Sequence, residues 1–173
     1  MPDFQTRLFR TILILIAALA SQCSQPFSIA VNNRAVFDPG NRLLDEETLD
    51  PSLQGCINLA VRQQNLNNAA ELTVLSCANS QVADLDNIGQ LSQIRFLDLA
   101  NNSINNLTPL EQLGQLAGLS LLNNAITDIS PLFNVVSLTA VSLSGNNSIK
   151  CEQLEALADK LGGSLTGPTT CRN

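Results

Sequence analysis

The chain has 173 residues, enough for one domain. Charged residues make up 14% of it, it has no His, Trp or Tyr, and its net charge is −6 at pH 7. This balance excludes a nucleic-acid reader, which needs clustered Lys and Arg, and the missing histidine removes the usual general base and metal ligand.

Arg7 and Arg10 precede "TILILIAALA", residues 11–20. That run is well short of the roughly 20 apolar residues a bilayer span requires. Ala18 and Ala20 supply an A-x-A cleavage pattern, so residues 1–22 are predicted to be an export signal. An oxidising destination favours cysteine pairing. The chain has five cysteines, an odd number. Cys56 and Cys77 are 21 apart and Cys151 and Cys171 are 20 apart, each pair flanking one end of the central region, and two disulfides are predicted there. Cys23 is left over, just past the apolar run. It resembles the lipidated cysteine of a bacterial lipoprotein signal, although Gln22 stands where that signal has Gly or Ala. The alternative is cleavage after Ala20, with Cys23 free or bonded between chains.

Residues 23–49 read as a linker. "FSIAVNNRAVF" alternates loosely around Asn32-Asn33 and is compatible with a short hairpin. Asp45, Glu46 and Glu47 read as a solvated loop, not as a metal cluster. A helix is predicted over 50–64, with Asp50 as N-cap and Pro51 at the first helical position. Its stripe of Leu53, Cys56, Ile57, Ala60 and Val61 needs a surface to cover. Residues 50–71 are therefore expected to cap the segment that begins at Leu72, with Cys56–Cys77 pinning the cap.

From residue 72 the chain repeats every 22 residues, in units 72–93, 94–115, 116–137 and 138–149. Leu72, Ile94, Leu116 and Leu138 superimpose, as do Leu75, Leu97, Leu119 and Val141. Cys77, Leu99, Leu121 and Leu143 form a third column. Three more columns start at Val82, Leu85 and Ile88. Around Leu97 and Leu99 the period is two, which predicts short parallel strands with Phe96, Asp98 and Ala100 facing out. The turn after each strand must satisfy backbone groups inside the coil, and an amide that both donates and accepts can do so. Asn102, Asn124 and Asn146 recur at the same 22-residue spacing and are predicted to be that inward ladder. Ser80 replaces Asn in the first unit. The last unit has one extra residue before Ile149, which leaves Asn147 as an alternative to Asn146. Pro109 and Pro131 suit a 3₁₀ or irregular outer side. Leu154, Leu157, Ala158 and Leu161, ending at Gly162-Gly163, predict a second helical cap within 150–173, closed by Cys151–Cys171.

The consensus L-x-x-L-x-L-x-x-N-x-I-x-x-L-x-x-L resembles the leucine-rich repeat in the 22-residue form of bacterial internalins. The resemblance covers 72–149 and, with the caps, about 50–171. It implies a short α/β solenoid, with a parallel β-sheet on the concave side, a 3₁₀ or irregular convex side and helices at both ends. It also implies a protein partner on the concave face. The outward residues there are small, and Phe96, Asp98, Ser120, Leu122 and Ser142 are the candidate protein-binding residues.

No catalytic constellation is visible, and neither enzymatic activity nor a cofactor is expected. Ser120 and Ser142 have no base to activate them, and Asp84, Asp86 and Asp128 read as solvated turn residues. Glycosylation sequons begin at Asn101, Asn106 and Asn146. The expectation is an exported protein of the bacterial cell envelope, lipid-anchored at Cys23 in the outer membrane or periplasm, that binds another protein. The alternatives are a secreted form, and a structural envelope lipoprotein with no ligand on the concave face.

Overall fold

The computed structural model describes residues 29–31, 34–37 and 50–171. The export signal, Cys23, the Asn32-Asn33 turn and the acidic stretch Asp45–Glu47 lie outside the described residues.

Strands β1 (Ile29–Val31) and β2 (Arg34–Phe37) pair antiparallel, with Val31 opposite Arg34 and a bulge between Ile29 and Ala30. Helix α1 spans Pro51–Gln63. Asp50 starts it: one carboxylate oxygen accepts from the backbone N–H groups of Ser52 and Leu53 at 2.8 and 3.0 Å. Those are two of the four donors that a helix start leaves open. Leu53, Ile57, Ala60 and Val61 are buried against the first repeat, as the stripe requires, while Cys56 is half-buried.

Strands β3 (Val74–Ser76), β4 (Phe96–Asp98), β5 (Gly118–Ser120) and β6 (Ala140–Ser142) come next, one per repeat. They form a parallel sheet in sequence order, each residue paired with the one 22 positions on, so Leu75, Leu97, Leu119 and Val141 make one layer. Parallel pairing results from the repeat itself, because every coil runs the same way round before it reaches the sheet again. A fifth strand, β7 (Leu165–Thr166), extends the sheet beyond the last repeat. It comes from the C-terminal segment, where only a return to Cys171 was expected.

On the other side of each coil the backbone takes a 3₁₀ turn, at Ile88–Gln90, Thr108–Gln112 and Ser130–Phe133. Pro109 and Pro131 lie in the first turn of the latter two, where a missing N–H costs nothing. The interior between sheet and 3₁₀ side is apolar and continuous: the columns from Leu72 to Leu138, Leu75 to Val141 and Cys77 to Leu143 are all at most 4% exposed. A seventh column, Leu91, Leu113 and Val135, is buried to the same degree, and the six-column consensus omits it. Full burial of each such side chain contributes about 1.5–3 kcal/mol.

Helix α2 (Cys151–Lys160) closes the far end with Leu154, Leu157 and, just beyond it, Leu161 buried; Ala158 on the same stripe is only half-buried. Both predicted disulfides are present, Cys56–Cys77 with Cα atoms 5.7 Å apart and Cys151–Cys171 at 5.4 Å. Each ties a helical cap to its neighbouring chain. Among the described residues no helix is long and apolar enough to cross a membrane.

Candidate functional site

The asparagine ladder sits directly behind the sheet and holds it. Asn102 Nδ2 donates to the carbonyls of Cys77 and Leu99, both at 2.9 Å, while its Oδ1 accepts from Ser80 and Val82 N–H at 3.1 and 3.0 Å. Asn124 repeats the pattern one coil on, donating to Leu99 and Leu121 and accepting from Ile104 N–H at 3.0 Å. Asn146 donates to Leu121 and Leu143 and accepts from Ile126 N–H at 3.2 Å. Every amide bonds its own coil and the one before it. In the last repeat Asn146 takes the position and Asn147 is exposed, so the extra residue is absorbed after the ladder, not before it. The sequon at Asn146 is thereby buried, 1% exposed.

The residue preceding each ladder position has its own role, which the repeat pattern alone does not reveal. Asn79, Asn101 and Asn123 have φ of 57°, 56° and 51°, and Gly145 continues the column at 84°. This left-handed geometry favours glycine and, among side-chain residues, asparagine. The Asn-Asn doublets thus divide the work: the first turns the chain and the second bonds the coils. Asn123 Nδ2 also donates to Asn101 Oδ1 at 2.7 Å. A Cβ on Gly145 would meet Asn123 Oδ1 at 2.0 Å, so a side chain at the last position of this column requires the Asn123 amide to move.

In front of the ladder lies the sheet face. Register places Val74, Phe96, Gly118 and Ala140 in one row across the strands. Two residues further on, Ser76, Asp98, Ser120, Ser142 and Thr166 form a second row. The first row is apolar; the second carries hydroxyls and one carboxylate. Phe96 is 55% exposed, and its ring lies over Gly118, where a Cβ would come within 2.7 Å of Phe96 Cδ1. Asp98 is half-buried and held in place, accepting from Ser76 Oγ at 3.2 Å and from Ala100 N–H at 3.1 Å. Together the rows line an open groove of about 450 Å³. Of the five candidate binding residues, Phe96, Asp98, Ser120 and Ser142 line it. Leu122 does not; it is half-buried in the turn beyond β5, where its carbonyl accepts from Asn101 and Asn124. Ala100, expected to face outward, is buried, because its carbonyl and N–H are taken up in the turn.

The aspartates read as solvated turn residues are more engaged than that. Asp84 Oδ1 accepts from Asp86 N–H at 2.9 Å, and both residues are half-buried. Asp128 lies on the surface and accepts from Ser130 Oγ, Ser130 N–H and Gln153 Nε2. The Ser130 hydroxyl first, then its N–H and the Gln153 amide, hold the Asp128 carboxyl down at about 2, below the ordinary 3.8. Asp50 was expected only to cap a helix. Its second oxygen also accepts from Ala83 and Asp84 N–H at 2.7 and 3.1 Å, which keys the cap into the first repeat. Burial raises the pKa of Asp50, but its four backbone donors, led by Ala83, outweigh that and keep it below 3.8. Among the described residues no three His, Cys, Asp or Glu side chains are grouped to hold a metal ion.

The family model for leucine-rich repeats, in two copies, matches residues 70–112. Two solved structures share the fold, both from Listeria monocytogenes str. 4b F2365. An internalin C2 is 22% identical, with a TM-score of 0.55 over 69% of this chain and 53% of its own. An internalin (inlF) is 27% identical, with a TM-score of 0.58 over 70% of this chain and 37% of its own. The chain thus matches about half of the one and little more than a third of the other. No curated protein matches the sequence. The fold is a short leucine-rich repeat solenoid of the internalin type.

Proposed function

We propose that this is an exported bacterial protein that uses the sheet face of its solenoid to bind another protein at the cell envelope. One observation carries the reading. An exposed phenylalanine, Phe96, lies on a floor of Gly118 beside an immobilised carboxylate, Asp98, in an open groove. Exposed aromatic side chains on a rigid surface are the usual anchors of protein interfaces. The three-residue strands and the amide ladder behind them make the surface rigid, which lowers the ordering cost of association. The internalin-like fold supports the same reading.

Export rests on Arg7, Arg10 and the apolar run before Ala20, and the lipid anchor rests on Cys23, the cysteine left outside the two disulfides. A photo-crosslinking residue placed at position 96 should yield a stoichiometric protein adduct in cells, whereas one at the 85% exposed Val136, outside the groove, should not. Equal yields from both sites would reject the sheet face as the binding surface. Mass spectrometry of the mature N-terminus decides the anchor: an acylated Cys23 supports it, and a start at Ser21 rejects it.

A second reading has its own support. Gly118 and Ala140 fill half the apolar row and offer little to grip. A structural envelope lipoprotein without a ligand on this face would yield no stoichiometric adduct from position 96.

A further inference from the structure

The groove has a polarity of its own. Asp98 is the one charged residue lining it, and no lining residue is basic. Two neutral donors, Ser76 Oγ and Ala100 N–H, fix the carboxylate without neutralising it. A carboxylate offers about four acceptor sites, so Asp98 retains capacity for a further donor. Net charge −6 on the chain adds to the attraction for a cation.

Phe96 and Asp98 are two residues apart on β4 and face the same way. That separation is about 6.6 Å along a strand, and it equals the spacing of alternate side chains on any other extended segment. A segment lying along β4 can therefore put one side chain on Phe96 and the next but one on Asp98. The open groove of about 450 Å³ has room for a few side chains of such a segment.

We propose that the groove receives an extended segment of a partner protein with an apolar-x-basic pattern, its apolar side chain on Phe96 and its Arg or Lys on Asp98. This rests on the sheet face being the protein-binding surface. The basic group completes the acceptor set of Asp98 in a site that is partly desolvated, where a charge-assisted bond is strongest. The flanking Ser76 and Ser120 hydroxyls serve the remaining donors of a guanidinium or the backbone of the segment. Acidic segments are rejected by the same carboxylate.

The test uses the full chain, ¹⁵N-labelled, and three labelled octapeptides that differ at one position: Leu-x-Arg, Leu-x-Gln and Leu-x-Glu. The Leu-x-Arg peptide should move the amide signals of Ser76, Asp98 and Ser120 and bind at least ~10-fold more tightly than Leu-x-Glu, as expected for a specific charge pair. Asp98→Asn keeps the acceptor facing Ala100 N–H and should fold normally, yet it should erase most of that preference. Equal affinity for all three peptides, with the groove signals moving, would overturn the basic partner and leave the binding face standing. Signals that move only elsewhere, or not at all, would overturn both. A neutral oligosaccharide such as maltoheptaose that shifts the groove signals where no peptide does would assign the face to a glycan and overturn the proposal.

Discussion

At the scale of the residue, the Asn doublets show how two identical side chains in sequence carry different energies. Asn124→Ala would leave the Ile104 N–H without a partner and would take one of two amide donors from each of the Leu99 and Leu121 carbonyls, which Asn102 and Asn146 still bond. The one unmet donor costs about 1–3 kcal/mol and each lost second bond about 0.5–1.5 kcal/mol, with partial access of water to this half-buried site lowering the sum, so the variant should lose about 2–4 kcal/mol in urea unfolding. Asn123→Gly keeps the left-handed turn and loses only the exposed bond to Asn101, so it should stay within about 0.5 kcal/mol of the parent. Asn123→Ala should fall between them, since a left-handed alanine costs about 1–2 kcal/mol. Equal effects at 123 and 124 would contradict the division of labour. The ladder was legible because its spacing matches that of the leucines. The turn column recurs at the same 22-residue step, as Asn79, Asn101, Asn123 and Gly145, but φ has no signature in polarity, so the spacing alone does not give its role.

At the scale of the element, polar contacts key both caps to the repeats. Asp50 holds the start of α1 with one oxygen and the Ala83 and Asp84 N–H groups with the other. Asparagine caps an isolated helix as well as aspartate does. In Asp50→Asn, however, one of the two donor pairs must face an NH₂ group. The variant should therefore lose about 2–3 kcal/mol, measured by thermal or urea unfolding, where a simple cap would lose almost nothing. At the other end Lys160 Nζ donates to the carbonyls of Leu132, Phe133 and Val135 at 2.9–3.0 Å, and Gln153 reaches Asp128 and Ser130. Lys160→Met keeps the stem and should cost about 1–3 kcal/mol by leaving the Leu132 and Phe133 carbonyls to water, while the Val135 carbonyl keeps the Leu138 N–H. Both depressed carboxylates, Asp50 and Asp128, are charged in the folded chain at pH values where they would protonate when unfolded. Their stabilising effect is complete above the unfolded value of 3.8 and is lost as pH falls through the folded values, about 2 for Asp128. Unfolding midpoints should thus be flat near neutral pH and fall from about pH 4 downward, with a shallower fall in Asp128→Asn.

None of these keys shows in the sequence, because a carboxylate that bonds residues 33 and 34 positions away looks the same as one that only caps its own helix. Strand β7 was hidden for a related reason. "SLTGPTTC" has one apolar residue and no alternation, and the strand exists because the Val141 and Leu143 N–H groups at the sheet edge need the carbonyls of Ser164 and Thr166. At the opposite edge Gln64 Nε2 donates to the Val74 carbonyl at 3.1 Å and does the same service with a side chain. The helical stripes and cysteines were readable because burial and pairing impose spacing. The devices that cover sheet edges impose none.

At the scale of the whole molecule, the solenoid is a one-dimensional stack. Residues 116–137 touch the coil before and the coil after through the same layer of leucines, the same ladder amide and the same strand register. Stability in such a stack is close to a sum of unit and interface terms. A second copy of 116–137 inserted after Ser137 would present each neighbour with the surface it already meets. Both the free energy of unfolding and its denaturant dependence should rise, the latter in proportion to the added buried surface. The same insertion lacking Gly118 would shift the inserted strand by one residue and turn its leucines toward solvent. That variant should unfold at lower urea than the parent. If both insertions behaved alike, stability would reside in the helical caps and disulfides, with the repeats as passengers between them. If only the 22-residue copy stabilises, the period itself is the structural unit, and the binding face can be lengthened one strand at a time without disturbing the groove around Phe96 and Asp98.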